Sequence, residues 1–244
     1  MFTAPATKED ALGNRLSAVI RKASETAPRS LQAHIGPSEV GDPCVRRIAF
    51  KLMDWPQTNN TSDPWPSVSG TAIHAWLADA FTNDSDNWLV ETKVTMRPNL
   101  SGTCDLFDIA NGIVIDHKCV GATSMKARKS GGPTAQQITQ INLYGYGLEQ
   151  AGYTVNKVAL AYYPLGGMLT GIHTWIADYD RQAALDAIAR LDMTTNLVLM
   201  LDPETTPDNF GLIPATPTTY CTYCPWFLPG STNVGAGCAG QSKA

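Results

Sequence analysis

Gly102-Thr-Cys-Asp-Leu-Phe-Asp-Ile-Ala-Asn-Gly-Ile-Val-Ile-Asp-His-Lys-Cys119 is the stretch that decides the fold. Its first arm, Thr103–Ile109, alternates in the manner of a half-buried strand, and its second arm, Ile113–Cys119, begins with a β-branched run. The dipeptide Asn111-Gly112 between them is a strong signal for a tight hairpin turn. The stretch therefore predicts two antiparallel strands.

Four polar residues of this predicted hairpin are candidates for chemistry. Side chains two positions apart on a strand share a face, so Asp116 and Lys118 point one way and His117 the other. A closed hairpin also brings Asp105 close to Asp116. Two carboxylates beside a lysine suit phosphodiester hydrolysis, because Mg²⁺ and Mn²⁺ take carboxylate oxygens and an ammonium stabilises developing charge. On these residues alone, an exposed Asp116–Lys118 ion pair of little consequence is the alternative.

The composition limits the classes of protein that remain open. A chain of 244 residues with 43% hydrophobic content has room for one sizeable core with an attached subregion. The net charge of −4 does not by itself indicate nucleic-acid binding, so a nuclease with this composition would need its basic residues in clusters. Such clusters occur at Arg46-Arg47 with Lys51, and at Lys126, Arg128 and Lys129. No apolar run reaches membrane-spanning length and no signal peptide is evident, so we expect a cytoplasmic protein without a membrane partner.

Hydrophobic periodicity predicts the remaining elements. Segments 54–69 and 120–133, which are rich in Gly, Ser, Thr, Asn or Pro, are predicted to be loops. The first helix carries an apolar stripe that we expect to pack against the protein. The predicted helices cover residues 8–25, 45–53, 70–81, 134–151 and 179–201, and the further strands cover 88–96, 156–164 and 171–177.

Several motifs stand in a fixed order along the chain. Asp105 precedes Ile113-Val-Ile-Asp116-His-Lys118, while Gly70-Thr-Ala-Ile-His74 lies upstream and Gln140-Ile-Asn-Leu-Tyr144 lies downstream. Together they resemble the core of the PD-(D/E)XK nuclease superfamily in its RecB-like branch. The resemblance covers roughly residues 36 to 240, nearly the whole chain, although each motif alone is short.

The resemblance implies an α/β fold. Its centre is a restriction-endonuclease-like mixed sheet flanked by helices, with the core order helix, three strands, helix, strand (αβββαβ) and a cysteine-stapled helical subregion. We expect an N-terminal helical region over 1–69 that contributes one cysteine, a nuclease core over 70–201, and a cysteine-containing tail over 202–244 that packs back on the N-terminal region.

The same resemblance implies roles for individual residues. Metal ligands would be His74, Asp105, Asp116 and the backbone carbonyl of His117. Lys118 would position or activate water, Gln140 and Tyr144 would organise the substrate, and Lys126, Arg128 and Lys129 would contact DNA. Glu91 falls on a predicted strand, and its position near the metal or facing solvent stays open.

The six cysteines fall into two groups. Cys104 and Cys119 adjoin the candidate site residues on their strands, so alternation turns them towards the core. The other four lie in loop-like sequence, where thiolates could hold Zn²⁺ or a [4Fe-4S] cluster, and their spacing does not separate the two. Resemblance to the AddB-type and CRISPR-associated "Cas-four" exonucleases implies the cluster, although the gap before the last cysteine is longer than usual. These four are Cys44, Cys221, Cys224 and Cys238.

The resemblance implies a Mg²⁺- or Mn²⁺-dependent DNA nuclease. We expect an exonuclease of end processing or recombination, acting on DNA that is single-stranded or has free ends. A restriction-type endonuclease is one alternative, and a catalytically idle DNA-binding module with a structural four-cysteine metal site is another. By analogy with the family, the chain is encoded by a phage or a prokaryote and works in the (host) cytoplasm.

Overall fold

The computed structural model describes residues 8–25, 34–59 and 63–240. The described residues form seven α-helices and five strands. Within them, every helix is too short or too polar to cross a membrane. The helices are α1 Lys8–Glu25, α2 Pro37–Val40, α3 Val45–Leu52, α4 Trp65–Thr82, α5 Ala122–Gly131, α6 Ala135–Gln150 and α7 Arg181–Leu201. The strands are β1 Trp88–Arg97, β2 Leu100–Asp108, β3 Ile113–Val120, β4 Lys157–Pro164 and β5 His173–Asp178.

The five strands form one mixed sheet in the order β1-β2-β3-β4-β5. Its neighbours pair antiparallel except β3 and β4, which are parallel. Parallel neighbours need a crossover, and α5 with α6 supplies it. Adjacent residues of β3 contact different helices, because His117 stacks on Phe81 of α4 and Lys118 bonds Gln140 of α6. The two helices thus cover opposite faces, which confirms the predicted α/β fold with its αβββαβ core.

The predicted hairpin is confirmed, with a four-residue connection over 109–112. Gly112 has φ +66° and donates its N–H to the Asp108 carbonyl at 2.8 Å. A side chain at Gly112 would also meet the Thr154 carbonyl at 2.6 Å, so this turn requires glycine. The Asp108 carboxylate accepts from the backbone and side chain of Asn111. These contacts fix the register of β2 against β3.

Residues 120–133 were predicted to form a loop, and that prediction is wrong for most of the segment. The structure has α5 there, beginning after Gly121 and ending at Gly131, and it is followed by Gly132, which has φ +72°. Alanine, methionine, lysine and arginine inside the segment are strong helix formers. Met125 is the one buried residue of this helix, so the sequence shows no apolar stripe that would have revealed it.

Helix α4 begins five residues earlier than the sequence predicted. Pro64 is its N-cap and a further proline lies in its first turn, where a missing N–H costs nothing. Prolines at 64 and 66 therefore start this helix instead of marking a loop. As a result α4 runs through residue 69, where the expected N-terminal region ends.

Helix α1 forms as predicted, but its expected packing is not found. Leu12, Leu16 and Val19 are 53%, 58% and 65% exposed. The stripe therefore contacts little of the described protein.

The C-terminal residues pack against the segment around α3. Phe210 is fully buried, with its ring centroid 4.2 Å from that of Phe50 and 4.9 Å from that of Trp55. Trp55 donates its indole N–H to the Gly235 carbonyl, and the Trp226 indole donates to the Trp55 carbonyl, both at 2.8 Å. Residues far apart in sequence thus share one apolar cluster.

We expect Phe210→Ala to lower the free energy of unfolding by about 3–5 kcal/mol, because it empties the centre of this cluster. Urea denaturation followed by circular dichroism measures the change. Leu212→Ala is the matched control, since Leu212 is 67% exposed in the same segment. Equal, small effects of the two substitutions would show that the tail is not part of the folded unit.

Candidate metal and hydrolytic site

The candidate site begins where β2 and β3 stop pairing. Their ladder runs from Asp108–Ile113 to Leu106–Ile115, and the next opposed residues are Asp105 and Asp116. One carboxylate oxygen of Asp105 accepts the backbone N–H of His117 at 2.7 Å. A side chain thus takes over as hydrogen-bond acceptor at the point where the ladder ends. We call this point the strand fork, defined by Asp105, Asp116 and His117.

Three potential metal ligands meet beside the strand fork. His74 of α4, Glu91 of β1 and Asp105 each offer a ligand atom within 4.8 Å of the others. His74 Nδ1 lies 3.5 Å from the second carboxylate oxygen of Asp105. Carboxylate oxygens suit Mg²⁺ and Mn²⁺, and an imidazole is an acceptable additional ligand for Mn²⁺. Glu91 thus lies near the candidate metal site, and its side chain is also exposed to solvent.

The backbone at Glu91 is unusual for a strand. Its φ of +45° interrupts the pairing of β1 with β2, opposite Asp105. Cys104 and Phe107 both pack in the main core although strict alternation would separate them, so alternation breaks at this level. A left-handed residue other than glycine costs about 1–3 kcal/mol and is typical of functional sites. Sequence patterns could not reveal it, because they carry no signal for this φ.

A chain of polar contacts leads from Asp116 into α6. Lys118 Nζ lies 2.6 Å from an Asp116 carboxylate oxygen and donates to Gln140 Oε1 at 3.0 Å. Gln140 Nε2 in turn donates to the Tyr144 hydroxyl at 3.2 Å. Gln140 and Tyr144 are 8% and 6% exposed. Their hydrogen bonds therefore fix the position of the Lys118 ammonium from the buried side of the site. Thr134 helps to fix α6, because it caps the helix in a reciprocal pair with Gln137.

Burial and neighbouring charges shift the pKa values of the acidic and histidine side chains of the site in different directions. Burial raises the pKa of Asp116 to about 6, and the neighbouring Asp105 charge adds to the rise while Lys118 opposes it. Burial also pushes the pKa of Asp105 upward, but His74 and the His117 N–H outweigh it, so this pKa lies below its usual value. The hydrogen bond to Asp105 raises the pKa of His74 despite its burial. The site therefore holds closely spaced acids whose repulsion a cation would relieve.

The His117 ring lies on the α4 side of the sheet, opposite to Lys118 as alternation predicted, and its centroid is 5.9 Å from that of the His74 ring. It stacks on Phe81 and lies 3.2 Å from the Tyr163 hydroxyl through Nδ1. Burial lowers its pKa to about 4. Only the backbone of His117 belongs to the strand fork, where its N–H meets Asp105, and its carbonyl stays a predicted ligand. Sequence reasoning missed Tyr163, which the parallel pairing of β3 with β4 brings beside this ring.

The three basic residues of α5 differ in surroundings. Arg128 donates to the Gly132 carbonyl at 3.0 Å and so closes the end of its own helix. Lys126 and Lys129 are exposed and line a cavity next to the ends of β3 and β4. The lysines are therefore the members of the trio that face an open space.

The four loop cysteines line a single cavity of about 210 Å³ between the start of α3 and the tail. Cys44 caps α3, and Cys221 Sγ accepts the Thr218 N–H at 3.3 Å. Cys238 Sγ lies 3.7 Å from an Arg46 guanidinium nitrogen. Cys224 completes the set. Of the remaining two cysteines, Cys104 is fully buried as expected and Cys119 is only half-buried.

Comparisons with known proteins support the fold. No protein-family model and no curated protein matches the sequence. An alkaline exonuclease from Laribacter hongkongensis superposes with a TM-score of 0.51 at 10% identity, over 75% of this chain and 97% of the other. Its complex with dAMP gives 0.49 at 12% identity, over 74% and 95%. A phage-related exonuclease from Haemophilus somnus 129PT gives 0.46 at 13%, over 84% and 92%. The first of these shows that the fold is shared.

We expect Glu91→Gln to weaken Mn²⁺ binding by about tenfold or more, a loss typical of groups that support a metal site. The substitution removes one of three converging donors with little change in shape. Isothermal titration of Mn²⁺ into the metal-free protein measures it. Glu204→Gln, at an exposed acid beyond α7, is the control, and equal affinities of the two variants would exclude Glu91 from the site.

Proposed function

We propose that the protein is a Mg²⁺- or Mn²⁺-dependent DNA exonuclease that hydrolyses phosphodiester bonds during end processing or recombination. The observation that carries this proposal is Lys118, held between Asp116 and Gln140 beside the three converging donors. The fold shared with an alkaline exonuclease supports it further. Every position of the nuclease motifs holds a residue competent for the chemistry, which weighs against an idle binding module.

The cation would be held by His74, Asp105 and Asp116, with the His117 carbonyl as a further ligand and Glu91 beside them. Bound there, Mg²⁺ or Mn²⁺ would polarise the scissile phosphate and activate water for attack. The donor set fits such a cation, because three ligand atoms converge there. Beside them Asp116 is nearly fully buried, and its burial, with the charge of Asp105 adding to it, raises its pKa. A divalent cation would stabilise both ionised carboxylates together.

Lys118 would act on the reacting groups directly. Its ammonium can donate to the attacking water and to a phosphate oxygen as negative charge develops there. Water would attack phosphorus and lose a proton to solvent, the bond from phosphorus to one bridging oxygen would break, and that oxygen would take up a proton from solvent and leave as a hydroxyl. Gln140 and Tyr144 would be positioning residues, since both are buried behind Lys118 and keep its Nζ in place. Lys126 and Lys129, with Arg128 behind them, would meet the DNA backbone.

We also propose that Cys44, Cys221, Cys224 and Cys238 hold a [4Fe-4S] cluster. The four sulfurs line one cavity, and among the described residues the cysteines form no group with ligand atoms within 4.8 Å. Four thiolates could also hold Zn²⁺, and the resemblance to the iron–sulfur exonucleases is the reason for proposing the cluster. The cluster would join the expected tail at 202–244 to the N-terminal region and close a long loop.

Lys118→Ala and Asp116→Ala should each reduce DNA cleavage by about a hundredfold or more while the protein stays folded. End-labelled linear DNA and closed circular DNA with Mn²⁺ are the substrates, and circular dichroism monitors folding. Lys157→Ala is the matched control, because Lys157 forms an ion pair with Asp178 on the protein surface. Cleavage of closed circles would favour the restriction-type endonuclease, and full activity of Lys118→Ala would refute the proposed role.

Cys221→Ala should yield protein with little iron, no brown colour and a lower melting temperature, since one cluster ligand is lost. Iron analysis and visible absorption of anaerobically purified protein measure this. Cys119→Ala is the control, because Cys119 lies outside the cysteine cavity. Normal iron content in Cys221→Ala, or zinc in the wild type, would disprove the cluster.

A further inference from the structure

A second cavity, of about 520 Å³, opens where β3 and β4 end. Val120 and Pro164 contribute from the two strand ends, and Met168 contributes from the connection between β4 and β5. Lys126 and Lys129 of α5 complete the wall. We call it the strand-end cavity. Its volume falls within the range of about 300–1,000 Å³ that is usual for small-molecule sites.

The strand-end cavity lies on the side of the sheet where Lys118 acts. Val120 follows Lys118 by two positions on β3, so the two side chains share a face about 7 Å apart. Tyr162, which pairs with Lys118 across β3 and β4, packs with Met125 of α5 in one cluster that Val120 also joins. A DNA strand with its scissile phosphate at Lys118 would therefore reach this cavity with a neighbouring nucleotide.

The walls of the cavity combine two chemistries. Val120, Pro164 and Met168 are apolar, and Met168 is 78% exposed. Leu169, the next residue of the same connection, is 72% exposed. Within the described part of the chain, neither lysine of the cavity forms an ion pair with a carboxylate. A flat apolar group with a phosphate attached matches this combination, because the base would cover the exposed methionine and the lysines would meet the phosphate.

We propose that the strand-end cavity binds the terminal nucleotide of the DNA strand, with its base against Met168 and its phosphate at Lys126 and Lys129. The proposal rests on the function proposed above and deepens it, because a cavity that takes an unstacked base requires an end that is single-stranded or frayed. An acidic peptide would use the lysines but would gain nothing specific from the apolar wall.

The test is equilibrium binding without cleavage, with EDTA present. The probe is a short single-stranded oligodeoxynucleotide with an internal fluorophore, compared with versions that have an abasic residue at the 5′ or the 3′ end. Fluorescence anisotropy should show that one of the two abasic ends weakens binding to the wild type by about tenfold, as expected for one lost base contact. Equal affinity for all three oligonucleotides would overturn the proposal.

Met168→Ser should weaken binding of the intact oligonucleotide by a similar factor, and the abasic end should then cost little more. Met193→Ser is the matched control, since Met193 is 72% exposed on α7, and it should bind like the wild type. Lys129→Ala should reduce the slope of log Kobs against log salt by about 0.7, while Met168→Ser leaves the slope unchanged. Equal binding by Met168→Ser and Met193→Ser would overturn the proposal.

These outcomes are separable from those of the nuclease proposal. Base-dependent binding in a protein that cleaves no DNA with Mn²⁺ would support the cavity and refute the nuclease. Cleavage that needs Lys118, in a protein whose binding ignores the terminal base, would support the nuclease and refute the cavity.

Discussion

The hydrogen bond from the His117 N–H to the Asp105 carboxylate is the contact on which the candidate site depends. It forms where the β2–β3 ladder ends, at 2.7 Å and with Asp105 only 9% exposed. An ionised carboxylate makes a stronger acceptor than the carbonyl it replaces. The bond therefore anchors Asp105 while the strands separate, and its other oxygen is directed at His74. Without this anchored carboxylate, the ligand atoms of His74 on α4, Glu91 on β1 and Asp105 on β2 would not converge.

Asp116 meets the opposite electrostatic situation a few ångströms away. Among the described residues no backbone N–H donates to it, and its burial raises its pKa to about 6. Lys118 compensates in part at 2.6 Å, but Lys118 is itself held by Gln140. Removing one member of a buried charged pair leaves the other charge uncompensated. The energetic contributions of Asp116 and Lys118 therefore depend on each other. Through Gln140 and Tyr144 of α6, the position of the Lys118 ammonium depends on how this helix packs against the sheet.

Much of this arrangement could be predicted from sequence, and the failures have physical causes. The two-residue spacing of Asp116 and Lys118, and the four-residue spacing of Gln140 and Tyr144, depend on local geometry that every strand or helix repeats. The left-handed φ of Glu91 depends on tertiary packing and leaves no sequence pattern. Helix α5 was missed for a related reason: its stability comes from good helix formers between two glycines, and not from an apolar stripe.

A net charge of −4 is compatible with a DNA substrate because electrostatic interactions are local. At physiological ionic strength, exposed charges are screened beyond about 8 Å. A phosphate at the strand fork would feel Lys118 and any bound cation, and its neighbours would feel Lys126 and Lys129, whereas exposed acids elsewhere on the surface would be screened. The composition therefore describes the average surface, and the chemistry depends on the few charges that the fork and α5 bring together. An acidic average would also weaken non-specific retention on DNA, because long-range attraction to the phosphate backbone is small.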